Sequence, residues 1–332
     1  MLLSVAGLAA FLCRRFLDPD SPFHVLDRPG ARSLHHQAVP RSGGVALVTA
    51  LLLGWGIGWW GNLIPWSSVS GRIALGVVFL ALVGALDDRR GLSPLARLPV
   101  QLVAALLLVD LAPTALDLPG LEWRWSRPVA VGFTLLFVLW MTNLYNFMDG
   151  LDGLAGSMAL VGFSTLAVLG WLGGAQAFAW SAALVAAAAV GFLYFNRPPA
   201  RLFMGDAGAP VLGYLAAAFV LWGEALGAFP LWVGLLVFAP FVVDATYTLM
   251  RRALGGEAVW RAHRSHLYQR LALAWGGHGR VLAWGWLVMG LCSLAAVAAV
   301  VWPQARGAIF WGALLAWGGL VLFTEHHLRG RA

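Results

Sequence analysis

The chain has 332 residues, of which 60% are hydrophobic and only 11% charged, and its formal net charge is +7. Its mean hydropathy is +0.78, whereas a soluble domain is usually about 25% charged and about 45–50% apolar. A chain this apolar cannot cover itself with polar surface in water, so a soluble protein is excluded and lipid is its solvent.

Apolar runs broken by charges, Pro and Gly predict membrane spans at 1–17, 43–63, 71–87, 98–113, 129–146, 154–173, 177–195, 209–224, 229–250, 281–302 and 305–325. The expected fold is all-α: a polytopic membrane bundle of about 10–11 spans, forming one domain over 1–332, with its chemistry in the loops. The first run holds Arg14 and Arg15 and lacks an A-x-A site, so it reads as a span rather than a removed signal peptide. Cys13 and Cys292 both lie inside apolar runs and offer neither a disulfide framework nor metal-ligand spacing.

All 22 basic residues are arginine. Alternate loops carry eighteen of them, and the opposite loops carry only Arg72, Arg124, Arg127 and Arg306. Basic residues flanking spans stay in the cytoplasm, which predicts an outward N-terminus and an inward C-terminus. The charge is mostly this topology signal, with a smaller share for anionic lipids or substrates. No nucleic-acid partner is expected.

The scarce polar residues gather on the same inward loops. Asp87-Asp88 follows the third span, and two adjacent carboxylates at a membrane edge favour proton uptake or a bound cation. They also suit a solvated helix end beside Arg89 and Arg90. Asn143, Asn146 and Asp149 recur every three residues, along one helical face, and Gly150 and Gly153 loosen the backbone around Asp152. Capping is the plainer use of such residues, but four in ten positions exceed what a cap needs. Asn196-Arg197-Pro198-Pro199 then leads to Phe203-Met204-Gly205-Asp206-Ala207-Gly208, where a glycine turn lets backbone approach phosphate. His263, Arg264 and His266 suit phosphate oxygens better than zinc, which lacks a third ligand here. A basic interfacial loop is the bland alternative.

Together these motifs resemble the polyprenyl-phosphate N-acetylhexosamine-1-phosphate transferases, the superfamily of WecA, TagO and MraY. Asp27-Arg28-Pro29, Arg32-Ser33-Leu34-His35, Pro40-Arg41-Ser42-Gly43-Gly44 and Gly91-Leu92-Ser93-Pro94 with Arg97 and Gln101 extend the resemblance over about residues 27–273. Two positions depart from the pattern: Arg97 stands where lysine is frequent, and Ala209 where serine is usual. The His-Arg-Ser-His stretch at 263–266 is closer to the WbpL-like enzymes that start O-antigen synthesis than to the peptidoglycan branch.

The resemblance implies a transferase that joins N-acetylhexosamine-1-phosphate from a UDP-sugar to undecaprenyl phosphate, with Mg²⁺, or Mn²⁺ in its place. Asp87, Asp88 and Asp206 would be catalytic, with Asp206 and Asp88 on the metal. Asn143 and Asn146 lie in its substrate-reading motif. Asn196, Asp149, Asp152 and Phe203 would hold the nucleoside side, and Arg41, Arg97, His263, Arg264 and His266 the phosphates. Direct attack by the lipid phosphate and a phospho-enzyme route both remain open. So do the sugar (GlcNAc, QuiNAc or FucNAc), and the pathway: O-antigen, enterobacterial common antigen, teichoic acid or peptidoglycan. Dimers in the superfamily leave room for a homodimer. The rival class is a transporter, which would place ionisable groups near the bilayer midplane; here they sit at span ends.

Overall fold

A computed structural model describes residues 1–29, 37–258 and 263–329. Thirteen α-helices and two short hairpins follow one another along these residues. Helix α1 spans Leu2–Phe16, α2 Gly43–Trp60, α3 Ser68–Arg90, α4 Pro94–Leu106, α5 Arg127–Phe147, α6 Leu154–Leu172 and α7 Gln176–Asn196. Then come α8 Ala209–Ala225, α9 Leu231–Val237, α10 Ala239–Leu254, α11 Leu267–Trp275, α12 His278–Val301 and α13 Arg306–Arg329. The bundle is polytopic and helical, as its composition requires: lipid offers no partner to a backbone N–H, so the spans must satisfy their own.

Seven of these helices are long and apolar enough to cross a membrane. Helix α3 shows how its limits are set. Ser67 and Ser70 form a reciprocal capping box at its start, and Gly91 ends it in the left-handed region. Its 23 residues rise ~35 Å, enough for the hydrocarbon core.

Four expected spans take a different form: 1–17 gives the 15-residue α1 and 209–224 the 17-residue α8, neither of them among the seven. The run at 98–113 yields the 13-residue α4, with Pro99 inside it, and then a 3₁₀ turn at Val109–Leu111. At ~20 Å it is too short to cross alone. The run at 229–250 is broken into α9 and α10, which meet at 85°. Pro240, in the first turn of α10, has no N–H with which to continue the ladder of α9, and the chain turns at Phe238.

Helix α8 is the centre of the bundle, buried at every position from Ala209 to Gly223. Helices α5 and α3 pack against it, while α6, α7 and α1 form an adjoining layer. By contrast, only 6% of the apolar window of α13 is buried, so its surface is left to lipid. Strands β1 (Leu26–Asp27) and β2 (Val39–Pro40) pair antiparallel, with Asp27 opposite Val39. Strands β3 (Ala115–Leu118) and β4 (Leu121–Arg124) form a hairpin between α4 and α5. Cys13 and Cys292 are buried and unpaired with each other.

Candidate active site

The loop that enters α8 lies against two distant segments. Phe203 donates its N–H to Pro40 O at 2.7 Å, and Gly43 and Gly44 donate theirs to Phe203 O and Met204 O at 2.9 and 2.8 Å. Asp88, in the last turn of α3, accepts the Asp206 N–H on Oδ1 and the Ala207 N–H on Oδ2, both at 3.0 Å. Glycines make this closeness possible. Gly205 has φ +73°, and a Cβ there would lie 2.3 Å from Arg41 O. One turn before Asp88, a Cβ on Gly84 would lie 2.0 Å from Asp206 O. Residues about 40, 85 and 205 are thereby fixed as one unit.

Charges then interlock around that unit. Arg97, from α4, places Nη1 2.8 Å from Asp87 Oδ2 and donates to Asp206 Oδ1 at 3.0 Å. Asn146, from the end of α5, donates to the same Asp206 oxygen at 3.2 Å. Arg41 Nε lies 3.5 Å from Asp88 Oδ1, its Nη1 3.7 Å from Asp27 Oδ1, and its Nη2 donates to the Asp88 carbonyl. Asp87 Oδ1 accepts the Leu92 N–H at 2.5 Å. Its Oδ2 is buried and, apart from the ion pair with Arg97, accepts no aligned hydrogen bond.

The acids outnumber the arginines. Burial, and then the Asp87 charge, push the Asp206 carboxyl above its ordinary range, against the pull of Arg97 and Arg41 and the Asn146 hydrogen bond. Asp149, in the loop after α5, is pushed well above its ordinary range by burial and then by Asp206, Asp88 and Asp152. An excess of desolvated carboxylates around few cations is the electrostatic condition that a divalent cation relieves. Among the described residues no three acidic, histidine or cysteine side chains gather closely enough to hold a metal by themselves. Mg²⁺ does not need three: it takes one or two carboxylates and completes its octahedron with water and substrate phosphates. Asp206, with a neighbour from the Asp87–Asp88 pair, fits that requirement.

The remaining expected residues divide by use. Asn143 and Gln101 hold each other, the Asn143 amide donating to Gln101 Oε1 at 3.0 Å. Asp152 accepts the Ala200 N–H at 3.0 Å and lies 3.2 Å from His278 Nδ1. Asn196 is only 3% exposed, and both ends of its amide are engaged. It accepts from Gly153 N at 3.0 Å and donates to Leu202 O at 2.9 Å, tying the Asp149 loop to the Asp206 loop. The structure thus gives Asn196 a shaping use between these two loops. Phe203 contributes its backbone to the Pro40 pairing described above.

His266 stacks on Phe147 with centroids 6.2 Å apart, and His263 on His266 at 4.8 Å. The histidine loop therefore adjoins the end of α5, although Arg264 is exposed. Burial, and then His266 and Arg252, push His263 down to about 4. It is neutral at pH 7. Arg261 and the Arg32–His35 motif lie outside the described residues.

Asp244, on α10, was not among the expected site residues. It accepts Leu267 N at 2.8 Å and Tyr268 N at 2.9 Å, and His266 Nδ1 lies 3.3 Å away. It caps α11 and orients His266. The signal was there: a lone acid inside the apolar run 229–250.

Residues 71–224 match glycosyl transferase family 4. Among similar proteins is a probable undecaprenyl-phosphate N-acetylglucosaminyl 1-phosphate transferase of Bacillus subtilis, 29% identical over 285 residues, covering 83% of this chain and 78% of the relative. A decaprenyl-phosphate N-acetylglucosaminephosphotransferase of Mycolicibacterium smegmatis is 28% identical over 320 residues, 87% of this chain and 79% of the relative. A phospho-N-acetylmuramoyl-pentapeptide-transferase of a Synechococcus strain is 37% identical over 187 residues, about half of each chain. The glycosyl transferase family 4 match contains Asp87, Asp88, Arg97, Asn146 and Asp206. The fold adds Arg41 from before it and the histidine loop from after it.

Proposed function

We propose that this chain transfers an N-acetylhexosamine-1-phosphate from a UDP-sugar to undecaprenyl phosphate, releasing UMP and leaving a lipid-linked sugar pyrophosphate. The observation that carries the reading is the meeting of Asp87, Asp88, Arg97 and Asp206 from three separate segments at one end of an apolar bundle. The names of the relatives support a polyprenyl phosphate acceptor and make UDP-N-acetylglucosamine the first donor to try. The His-Arg-Ser-His loop favours the start of O-antigen synthesis as the pathway. The arginine asymmetry supports a site on the cytoplasmic face of the inner membrane, with the N-terminus outside.

Donor and acceptor are both anions, so most of the work is charge neutralisation and alignment. Arg41 and Arg97 place guanidinium groups beside the acids and suit the pyrophosphate. His263, His266 and Arg264 suit its oxygens from the α11 side. Asp149 and Asp152, on the loop pinned by Asn196 and His278, are the residues we assign to the nucleoside. Asp87 or Asp88 takes the proton of the lipid phosphate; an oxygen of that phosphate attacks the sugar-bearing phosphorus, and the bond to UMP breaks. When bound by Asp206 and one of the Asp87–Asp88 pair, Mg²⁺ or Mn²⁺ supplies Lewis-acid neutralisation of the phosphate oxygens.

The test is purified protein with undecaprenyl phosphate, Mg²⁺ and a panel of UDP-N-acetylhexosamines, read as UMP and lipid-linked product with and without EDTA. Product that EDTA abolishes supports the reading. Folded protein that neither binds UDP nor turns over any donor contradicts it and reopens transport.

A further inference from the structure

Helix α13 meets the rest of the bundle sparingly, yet its inner end carries a carboxylate that two other helices grip. Glu325 Oε1 accepts from Arg251 Nη1, on α10, at 2.8 Å. It also accepts from Arg270 Nη1, on α11, at 2.5 Å, and Oε2 accepts from Arg270 Nη2 at 3.1 Å. The second pair is a two-point Arg–carboxylate contact, the geometry with the strongest orienting power. The Glu325 side chain is only 12% exposed, so water screens these contacts poorly. On the next turn, Trp275 Nε1 of α11 lies 3.2 Å from His327 Nε2.

What Glu325 holds is not only helix against helix. Arg251 uses its other terminal nitrogen to donate to Ser265 O at 2.9 Å. Ser265 Oγ lies 2.9 Å from His263 Nδ1, and Arg252 Nη1 reaches the same hydroxyl at 3.4 Å. A continuous line of contacts therefore runs from α13 through Glu325, Arg251 and Ser265 to His263. Asp244 holds the far side of the same loop through His266, Leu267 and Tyr268. The loop is clasped between two carboxylates, one from α10 and one from α13.

We infer that Glu325 is a positioning residue for the donor's phosphates, acting through Arg251 to hold the 263–266 loop in place. The inference rests on the transferase reading for its kinetic consequence, and on the contacts alone for its structural one. Without Glu325 the Arg251 guanidinium loses its anchor and can leave Ser265 O. Arg270 is then left partly buried without a counter-charge. The loop then has to be ordered by the donor itself, which weakens donor binding and leaves the bond-making step, at the Asp88–Asp206 unit, unchanged.

The experiment compares the full-length protein with Glu325→Gln, Glu325→Asp and the neighbouring control Thr324→Ala, whose hydroxyl bonds only within its own helix. Two readouts are taken: KM and kcat for the UDP-sugar, and hydrogen exchange of the 263–270 backbone without substrate. Expected for Glu325→Gln are a donor KM raised about fivefold or more with kcat within about twofold, and faster exchange at 263–270. Glu325→Asp should recover part of both, and Thr324→Ala should match the parent. Unchanged exchange at 263–270 in Glu325→Gln overturns the inference whether or not any donor is turned over. Faster exchange with a fall in kcat alone overturns the phosphate-positioning role. Absence of turnover in the parent protein counts against the transferase reading, while the exchange result still decides the clasp.

Discussion

Asp88 accepts the backbone N–H of Asp206 on its carboxylate at 3.0 Å, so two acids 118 residues apart share one rigid frame. Both oxygens of Asp88 hold the loop that presents Asp206. Asp88→Asn turns one acceptor into an amide group facing the Ala207 N–H. Leaving that N–H unpaired costs about 1–3 kcal/mol. UMP release should fall by at least about tenfold, and the thermal midpoint in detergent should fall with it. An Asp88→Asn protein with parental stability and turnover would show that the loop is held elsewhere.

Arg97 is shared by Asp87 and Asp206. Lysine keeps the charge but not the planar fork. Arg97→Lys should retain measurable activity at about a tenth of the parent, and Arg97→Ala should lose about a further tenfold. Steady-state UMP release gives both values, and equal activity of the two variants would mean that charge at 97 is irrelevant.

Close packing at Gly84 is a steric claim with a clean control. A Cβ there meets the Asp206 carbonyl at 2.0 Å, whereas one at Gly132, on α5, meets nothing within 4 Å. Gly84→Ala should destabilise the protein by about 1–3 kcal/mol and depress turnover, and Gly132→Ala should do neither. Thermal unfolding followed by intrinsic tryptophan fluorescence distinguishes them.

His263 gives the fold a pH signature. Burial and the neighbouring His266, Arg252 and Arg251 lower it from 6.5 to about 4, opposed by Asp244. A lowered folded pKa means the unfolded chain binds the proton more readily. The His263 contribution is thus fully present above pH 6.5 and is lost as pH falls through 4. Melting temperature should drop between pH 6.5 and 4, and His263→Gln should flatten that drop. An equally steep drop in the variant would assign it to other groups.

The helical bundle and the polar ends of its spans could be read from the sequence because lipid imposes one rule on every span, and the motif residues are the few polar groups that break it. Asp87, Asp88, Asn146 and Asp206 were legible for that reason. The pairing of Phe203 with Pro40 was not, since backbone contacts between segments 160 residues apart leave no local pattern. Asn196 was legible as a polar residue at a span end, but its burial between Gly153 and Leu202 depends on how two loops meet. The break at Phe238 was written in Pro240 and overlooked because the surrounding hydropathy is continuous. The β3–β4 hairpin was likewise signalled by Pro119-Gly120, in a region read only for charge.

The central claim is that the Asp206 carboxylate, on the loop that Asp88 holds and within reach of Arg97 and Asn146, serves phosphoryl transfer rather than structure alone. Asp206→Asn keeps the size of the side chain and an oxygen for Arg97. UMP formation from the reactive UDP-N-acetylhexosamine should fall on the order of a hundredfold or more, with UDP binding and melting temperature near those of the parent. An Asp206→Asn protein that folds, binds UDP and turns over within a few-fold of the parent would contradict the account.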